Sequence, residues 1–119
     1  MVLVDTSIWV SHLRKGEVRL EQLLDEGVVC CHPFVIGELA CGNFQNRKNI
    51  VSLLQALPQT EMAGDEEVLT FIEQNQLLGQ GIGYVDVHLL ASAKLSRAAL
   101  WTADKALLSS ARKLGLLPR

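Results

Sequence analysis

The sequence predicts an α/β protein in which a mostly parallel sheet is covered by helices. Three observations predict it. Short apolar runs alternate with segments whose apolar residues recur at helical spacing. Those runs lack the polar alternation of a half-solvated antiparallel strand, as strands covered on both faces do. No repeat, linker or low-complexity stretch divides the 119 residues, a length that suits one domain spanning residues 1–119.

The elements follow in order. Met1–Val4 is an apolar run ending at Asp5-Thr6-Ser7, three residue types that cap helices, so it reads as strand, turn, helix. Leu20, Leu23 and Leu24 give a second helix one buried stripe, and Gly27 stops it. Val28–Cys31 reads as a second strand. Pro33 suits the first turn of a helix running to about Gly42. Ile50, Leu53, Leu54 and Leu57 form a helical stripe up to Pro58, and Val68, Leu69 and Ile72 form another. The latter begins at Asp65-Glu66-Glu67, acids that favour a helix N-terminus through the macrodipole. Gly79, Gly81 and Gly83 mark a loop, a strongly apolar helix runs from Tyr84 to about Ala98, and Ala99–Thr102 is a strand. Leu107, Leu108, Ala111 and Leu114 make a last amphipathic helix after Asp104.

Composition excludes several classes. A chain that is 49% hydrophobic and 20% charged has the apolar content that disordered chains lack. Its uncharged stretches, Gly27–Gly37 among them, fall well short of the roughly 20 residues of a spanning helix. Met-Val-Leu-Val-Asp5 has no basic n-region, so no signal peptide is expected. Cys30, Cys31 and Cys41 make an odd count without a CxxC pair. Buried free thiols and a reduced, cytoplasmic protein are expected. The formal charge of −2 shows no basic excess of the kind nucleic-acid binders carry.

Four acids stand where a carboxylate is not comfortable. Glu38 lies in Pro33-Phe-Val-Ile-Gly-Glu-Leu-Ala-Cys-Gly42, where its helical neighbours are Phe34, Val35, Cys41 and Gly42. Burial there would cost an ionised group several kcal/mol unless an Arg or Lys paired with it. Asp86 shares a helix face with Leu89, Leu90 and Ala93; it also suits a cap after the Gly-rich loop. Asp5 and Asp104 follow strands directly, as caps do, yet the carboxyl ends of parallel strands are also where open sheets bind ligands. If the four converge, each pair at ~5 Å repels by about 3 kcal/mol at an effective dielectric of 20. A hard divalent cation resolves that repulsion, and an all-oxygen site suits Mg²⁺ or Mn²⁺. Metal-dependent phosphodiester hydrolysis is the chemistry such a site performs.

Four segments, in this order, resemble a PIN domain, the small metal-dependent ribonuclease fold of the VapC-type toxins. They are Val4-Asp5-Thr6-Ser7, Ile36-Gly37-Glu38-Leu39, the stretch Gly81–Ala93 (GIGYVDVHLLASA), and Leu100-Trp101-Thr102-Ala103-Asp104. The resemblance covers nearly the whole chain. It implies a three-layer α/β/α sandwich with a central parallel sheet. It also implies that Asp5, Glu38, Asp86 and Asp104 form a catalytic metal site, and that the hydroxyls of Ser7 and Thr102 help hold water or substrate there. Its further implications are cleavage of RNA of the translation machinery such as tRNA or rRNA, a cognate VapB-type antitoxin, and a homodimer.

Other constellations are weaker. Gly79-Gln-Gly81-Ile-Gly83 lacks the spacing and the strand of a phosphate loop and reads as a turn into the Asp86 helix. His12, His32 and His88 form no HExxH, and no nucleophile elbow occurs. Trp9 and Trp101 read as core residues before RNA-stacking platforms. A dehalogenase-like phosphatase would need an acid at position 7, where Ser7 stands, and a phospho-receiver would need paired acids near the first strand. A non-catalytic module that binds RNA or a partner is the remaining alternative. Setting four of the thirteen acids into one pocket leaves nine against eleven bases, so the net charge no longer excludes RNA. Arg14, Lys15, Arg47 and Lys48 are the candidates for phosphate contact.

Overall fold

In the computed structural model, which describes residues 1–119, the first strand, β1 (Val2–Val4), lies in the middle of the sheet. β2 (Val29–Cys30) pairs with it in parallel on one side and β3 (Ala99–Trp101) on the other, with Val2 opposite both Val29 and Ala99. Leu3, Val4, Val29 and Leu100 are buried, as strands covered on both faces must be. Each outer edge is partly closed by irregular chain. Cys31 exchanges backbone bonds with Pro58 and Thr60, and Leu100 donates to the Leu116 carbonyl.

Seven helices complete the chain: α1 (Thr6–Lys15), α2 (Val18–Asp25), α3 (Pro33–Ala40), α4 (Arg47–Ala56), α5 (Asp65–Gln74), α6 (Tyr84–Leu95) and α7 (Lys105–Lys113). The connection from β1 to β2 steps one way across the sheet and that from β2 to β3 steps back past β1. Parallel crossovers are right-handed, so the two steps put helices on opposite faces. That is the three-layer α/β/α sandwich. α3 packs on α1 and α4; α6 packs on β3 and α5. The expected core helix is α6, in which every residue from Val87 to Ala93 is buried. None of the seven is long and apolar enough to cross a membrane.

Element ends differ from expectation by a few residues, with one instructive case. α6 stops at Leu95, not near Ala98. Arg97 takes a left-handed φ of 53°, and the Ala98 N–H reaches back to the Ala93 carbonyl at 2.8 Å. Gly27 ends α2 with the same wrapped geometry, Val28 donating to Leu23. At α6 the motif closes without a glycine, so no residue type announced it.

Candidate active site

Asp5 ends β1, the strand from which the sheet's connections diverge to either side. A crevice outside the carboxyl ends of parallel strands opens at such a reversal of strand order. Asp5 stands at the N-cap position of α1, but its carboxylate does not cap. Its Oδ2 instead accepts from Ser7 Oγ and from Thr102 Oγ1, each at 2.7 Å. Only 6% of Asp5 is exposed. Ser7 and Thr102 were expected to hold water or substrate; here their hydroxyls orient Asp5. Each is also bound by backbone that follows β3: the Ala103 N–H donates to Ser7 Oγ at 3.0 Å and the Asp104 N–H to Thr102 Oγ1 at 3.1 Å. One small network thus ties the end of β1 to the end of β3.

Asp104 is the N-cap of α7 and accepts from the Leu107 N–H at 2.9 Å. Its cap role and its place at the strand end therefore coexist. Asp86 is the third residue of α6, after the turn in which Gly79 and Gly81 take φ of 66° and 76°, where glycine is favoured. It accepts from the Gly83 N–H at 3.4 Å, closing the helix start. The Asp86 carboxyl is pushed above its ordinary pKa, first by burial and then by the charges of Asp5, Asp104 and Glu38, against the lowering bond from Gly83. Its carboxyl therefore feels all three of the other acids.

Glu38 corrects the sequence reading. It is exposed, not buried among the apolar residues of α3. The inward face of this eight-residue helix is Val35 and Leu39, and Glu38 lies off it. No Arg or Lys pairs with it. Its Oε1 accepts from Thr6 Oγ1 at 2.9 Å, a contact that sequence reasoning missed although Thr6 directly follows Asp5. The histidines stay out of the cluster. His32 is buried with Nε2 on Ser92 Oγ at 3.1 Å, and His88 lies edge-on to the rings of Phe34 and Tyr84. Trp9 is buried as expected, whereas Trp101 is only partly covered.

No basic group balances these acids, since no Lys or Arg lies within ion-pair distance of any carboxylate and the one histidine–carboxylate contact, His88 to Asp65 at 3.8 Å, lies outside the four. The donors are hard oxygens, which suit Mg²⁺ or Mn²⁺ and not a softer ion. As arranged, no three of the chain's His, Cys, Asp and Glu side chains close into a ready ligand set. That geometry is compatible with Mg²⁺, which keeps several waters and binds proteins through one or two carboxylates.

Comparison with known proteins agrees with this architecture. The PIN domain family profile matches residues 2–113. The chain is 42% identical to Ribonuclease VapC32 of Mycobacterium tuberculosis, in strains CDC 1551 / Oshkosh and ATCC 25618 / H37Rv alike. Each match runs over 117 residues, covering 98% of this chain and 94% of the relative. Two solved structures share the fold. FitAcB from Neisseria gonorrhoeae has a TM-score of 0.61 at 22% identity, covering 94% of both chains. PAE2754 from Pyrobaculum aerophilum has a TM-score of 0.61 at 16% identity, covering 92% of this chain and 78% of that one. The chain belongs to the PIN-domain family and is a member of its VapC type.

Proposed function

We propose that this chain is a Mg²⁺-dependent endoribonuclease, the toxin of a VapBC-type toxin–antitoxin pair, acting as one nuclease unit over residues 1–119. One observation carries the proposal. A buried carboxylate, Asp5, sits at the strand-order reversal with two hydroxyl donors, no basic partner, and a neighbour, Asp86, that feels it and two further acids. Identity to a protein named a ribonuclease supports the same reading.

Asp5, Asp86, Asp104 and Glu38 are assigned as the catalytic and metal-holding residues. Mg²⁺, or Mn²⁺ in its place, supplies charge neutralisation at the phosphoryl oxygens and a lowered pKa for the attacking water. The chain's own part is positioning. Ser7 and Thr102 fix Oδ2 of Asp5, so that the carboxylate would be held in place for the cation. The Gly83 and Leu107 amides fix Asp86 and Asp104, and Thr6 fixes Glu38. The substrate is RNA of the translation machinery, tRNA or rRNA. The antitoxin would neutralise the same carboxylates with an arginine, by charge-assisted pairing, and so compete with the metal. The protein is assigned to the cytoplasm as a homodimer.

Asp5→Asn and Asp86→Asn are expected to abolish RNA cleavage while the fold survives, because an amide oxygen still accepts the bonds each carboxylate accepts. Full cleavage by either purified variant refutes the proposal. A second reading, a non-catalytic module that binds RNA or a partner, draws on the lack of a closed ligand set. Thermal unfolding separates the two: millimolar Mg²⁺ or Mn²⁺ raises the melting temperature of a metal enzyme and does not do so in Glu38→Gln. No shift in the wild type favours the module.

A further inference from the structure

Beside the acid cluster lies a polar cleft of about 390 Å³, lined by Ser7, Val10, Ser11, Arg14 and Lys15 of α1. Helical spacing puts Ser7, Ser11 and Arg14 on one face. The cleft joins the acid cluster at Ser7, whose Oγ holds Asp5. Arg14 also lines the hollow on the other side of α1, where Thr6 and Glu38 lie. Both cations are exposed and neither is in an ion pair. Three of the other nine cations are engaged, while Arg19, Lys48, Arg97, Lys105, Arg112 and Arg119 are as free as Arg14 and Lys15 but line no cleft that reaches the acids. Arg47 donates its Nε–H to the Ala40 carbonyl at 2.6 Å, Lys113 donates to Gln80 at 3.1 Å, and Lys94 lies over the Phe71 ring. The acid bonded to the cleft wall is Glu17, held by Ser11 Oγ. The negative end of the α1 dipole accounts for basic residues in its last turn, but not for a polar cleft that leads from them to Asp5.

We propose that the Ser7–Lys15 face of α1 is a subsite for the RNA sugar–phosphate backbone, in which Arg14 and Lys15 hold phosphates outside the scissile one. The subsite rests on the ribonuclease reading for its purpose. Seven residues of helix advance about 10 Å, so Arg14 meets a neighbouring nucleotide and not the bond being cut. Phosphate contacts of this kind fix register without reading bases.

The test is equilibrium binding of a fluorescein-labelled single-stranded RNA of roughly 12 nucleotides, followed by anisotropy in EDTA from low to moderate salt. Arg14→Gln/Lys15→Gln is expected to bind about tenfold more weakly near 0.1 M salt, with a log–log salt slope smaller by about 1.4. Arg14→Lys/Lys15→Arg keeps both. Arg112→Gln/Lys113→Gln, an equal loss of charge at the end of α7, keeps affinity within about twofold and leaves the slope unchanged. The proposal is overturned if the α1 variant binds as the wild type does, if the α7 control loses as much, or if the wild type does not bind. Cleavage of the same RNA in Mg²⁺ is scored separately. Its absence from the wild type refutes the nuclease reading, while the binding difference, measured without metal, still decides the subsite.

Discussion

Replacing Thr102 with valine tests whether hydroxyls hold Asp5. Valine keeps the shape and removes the hydroxyl that donates to Asp5 Oδ2 at 2.7 Å and accepts from the Asp104 N–H at 3.1 Å. Thr102 is 5% exposed and Asp5 6%, so water does not readily replace the donor. A hydrogen bond to a charged group contributes about 1.5–3 kcal/mol. Asp104 is exposed, so its freed amide can turn to solvent and adds little. The expected loss is about 2 kcal/mol, or about 8 °C in melting temperature for a chain of this length. Thr102→Ser keeps the hydroxyl and gives up one buried methyl, about 1 kcal/mol. Urea unfolding ranks the three proteins, and RNA cleavage in Mg²⁺ is measured on the same preparations. Valine should lower the cleavage rate at least about tenfold, since a small misplacement of a reacting group is costly, while serine stays near the wild type. Equal stability of the two variants, with full cleavage by valine, would refute the account.

Four further outcomes follow. Burial, and then the charge of His88, pushes the His32 pKa down to about 4, whereas an unfolded histidine takes its proton near 6.5. Its contribution is therefore complete above pH 6.5 and falls away as pH drops towards 4, by up to about 3 kcal/mol. NMR titration should find the ring neutral at pH 5; a midpoint near 6.5 contradicts its burial. Cys31 is pushed up to about 11 and Cys30 upward, both chiefly by burial, while Cys41 is exposed. Iodoacetamide at pH 8 should therefore modify one thiol of the folded protein, and mass spectrometry finding two or three would count against this packing. Asp104→Ala removes a side-chain cap and should cost about 1 kcal/mol. Glu38→Gln, at an exposed position, should stay within about 0.5 kcal/mol of the wild type by urea unfolding.

The strands and helices were legible because their signals are local. Apolar runs without alternation marked β1 to β3, and Asp65-Glu66-Glu67 and Pro33 stand where α5 and α3 begin. What failed depended on surroundings. The apolar neighbours of Glu38 suggested burial, but Val35 and Leu39, with Ile36 partly buried beside them, make the inward face of α3. The end of α6 at Leu95 hung on a left-handed arginine that no propensity favours. The strand order β2-β1-β3 has no sequence signal at all, yet it sets the ends of β1 and β3 side by side. The roles of Ser7 and Thr102 had the same obstacle: 95 residues separate them, and their bonds to one oxygen of Asp5 appear only in the fold.

Capping and chemistry looked like rival explanations of the acids, and the structure removes the rivalry. Asp104 begins α7, Asp86 closes the first turn of α6, and Asp5 stands at the start of α1. Three of the four acids therefore stand at helix N-termini, each with the partial positive charge that favours a carboxylate. The amides of Gly83 and Leu107, with the hydroxyls of Ser7, Thr102 and Thr6, orient the four acids without supplying a countercharge. A lysine or arginine would have fixed the carboxylates equally well, but it would have neutralised them. On the nuclease reading, such neutral donors hold the acids in place and leave them able to take a cation. The same surplus of charge that a divalent metal relieves is available to an arginine from a partner. On the proposed function, activation and inhibition then draw on one electrostatic debt, and neither requires the fold to change.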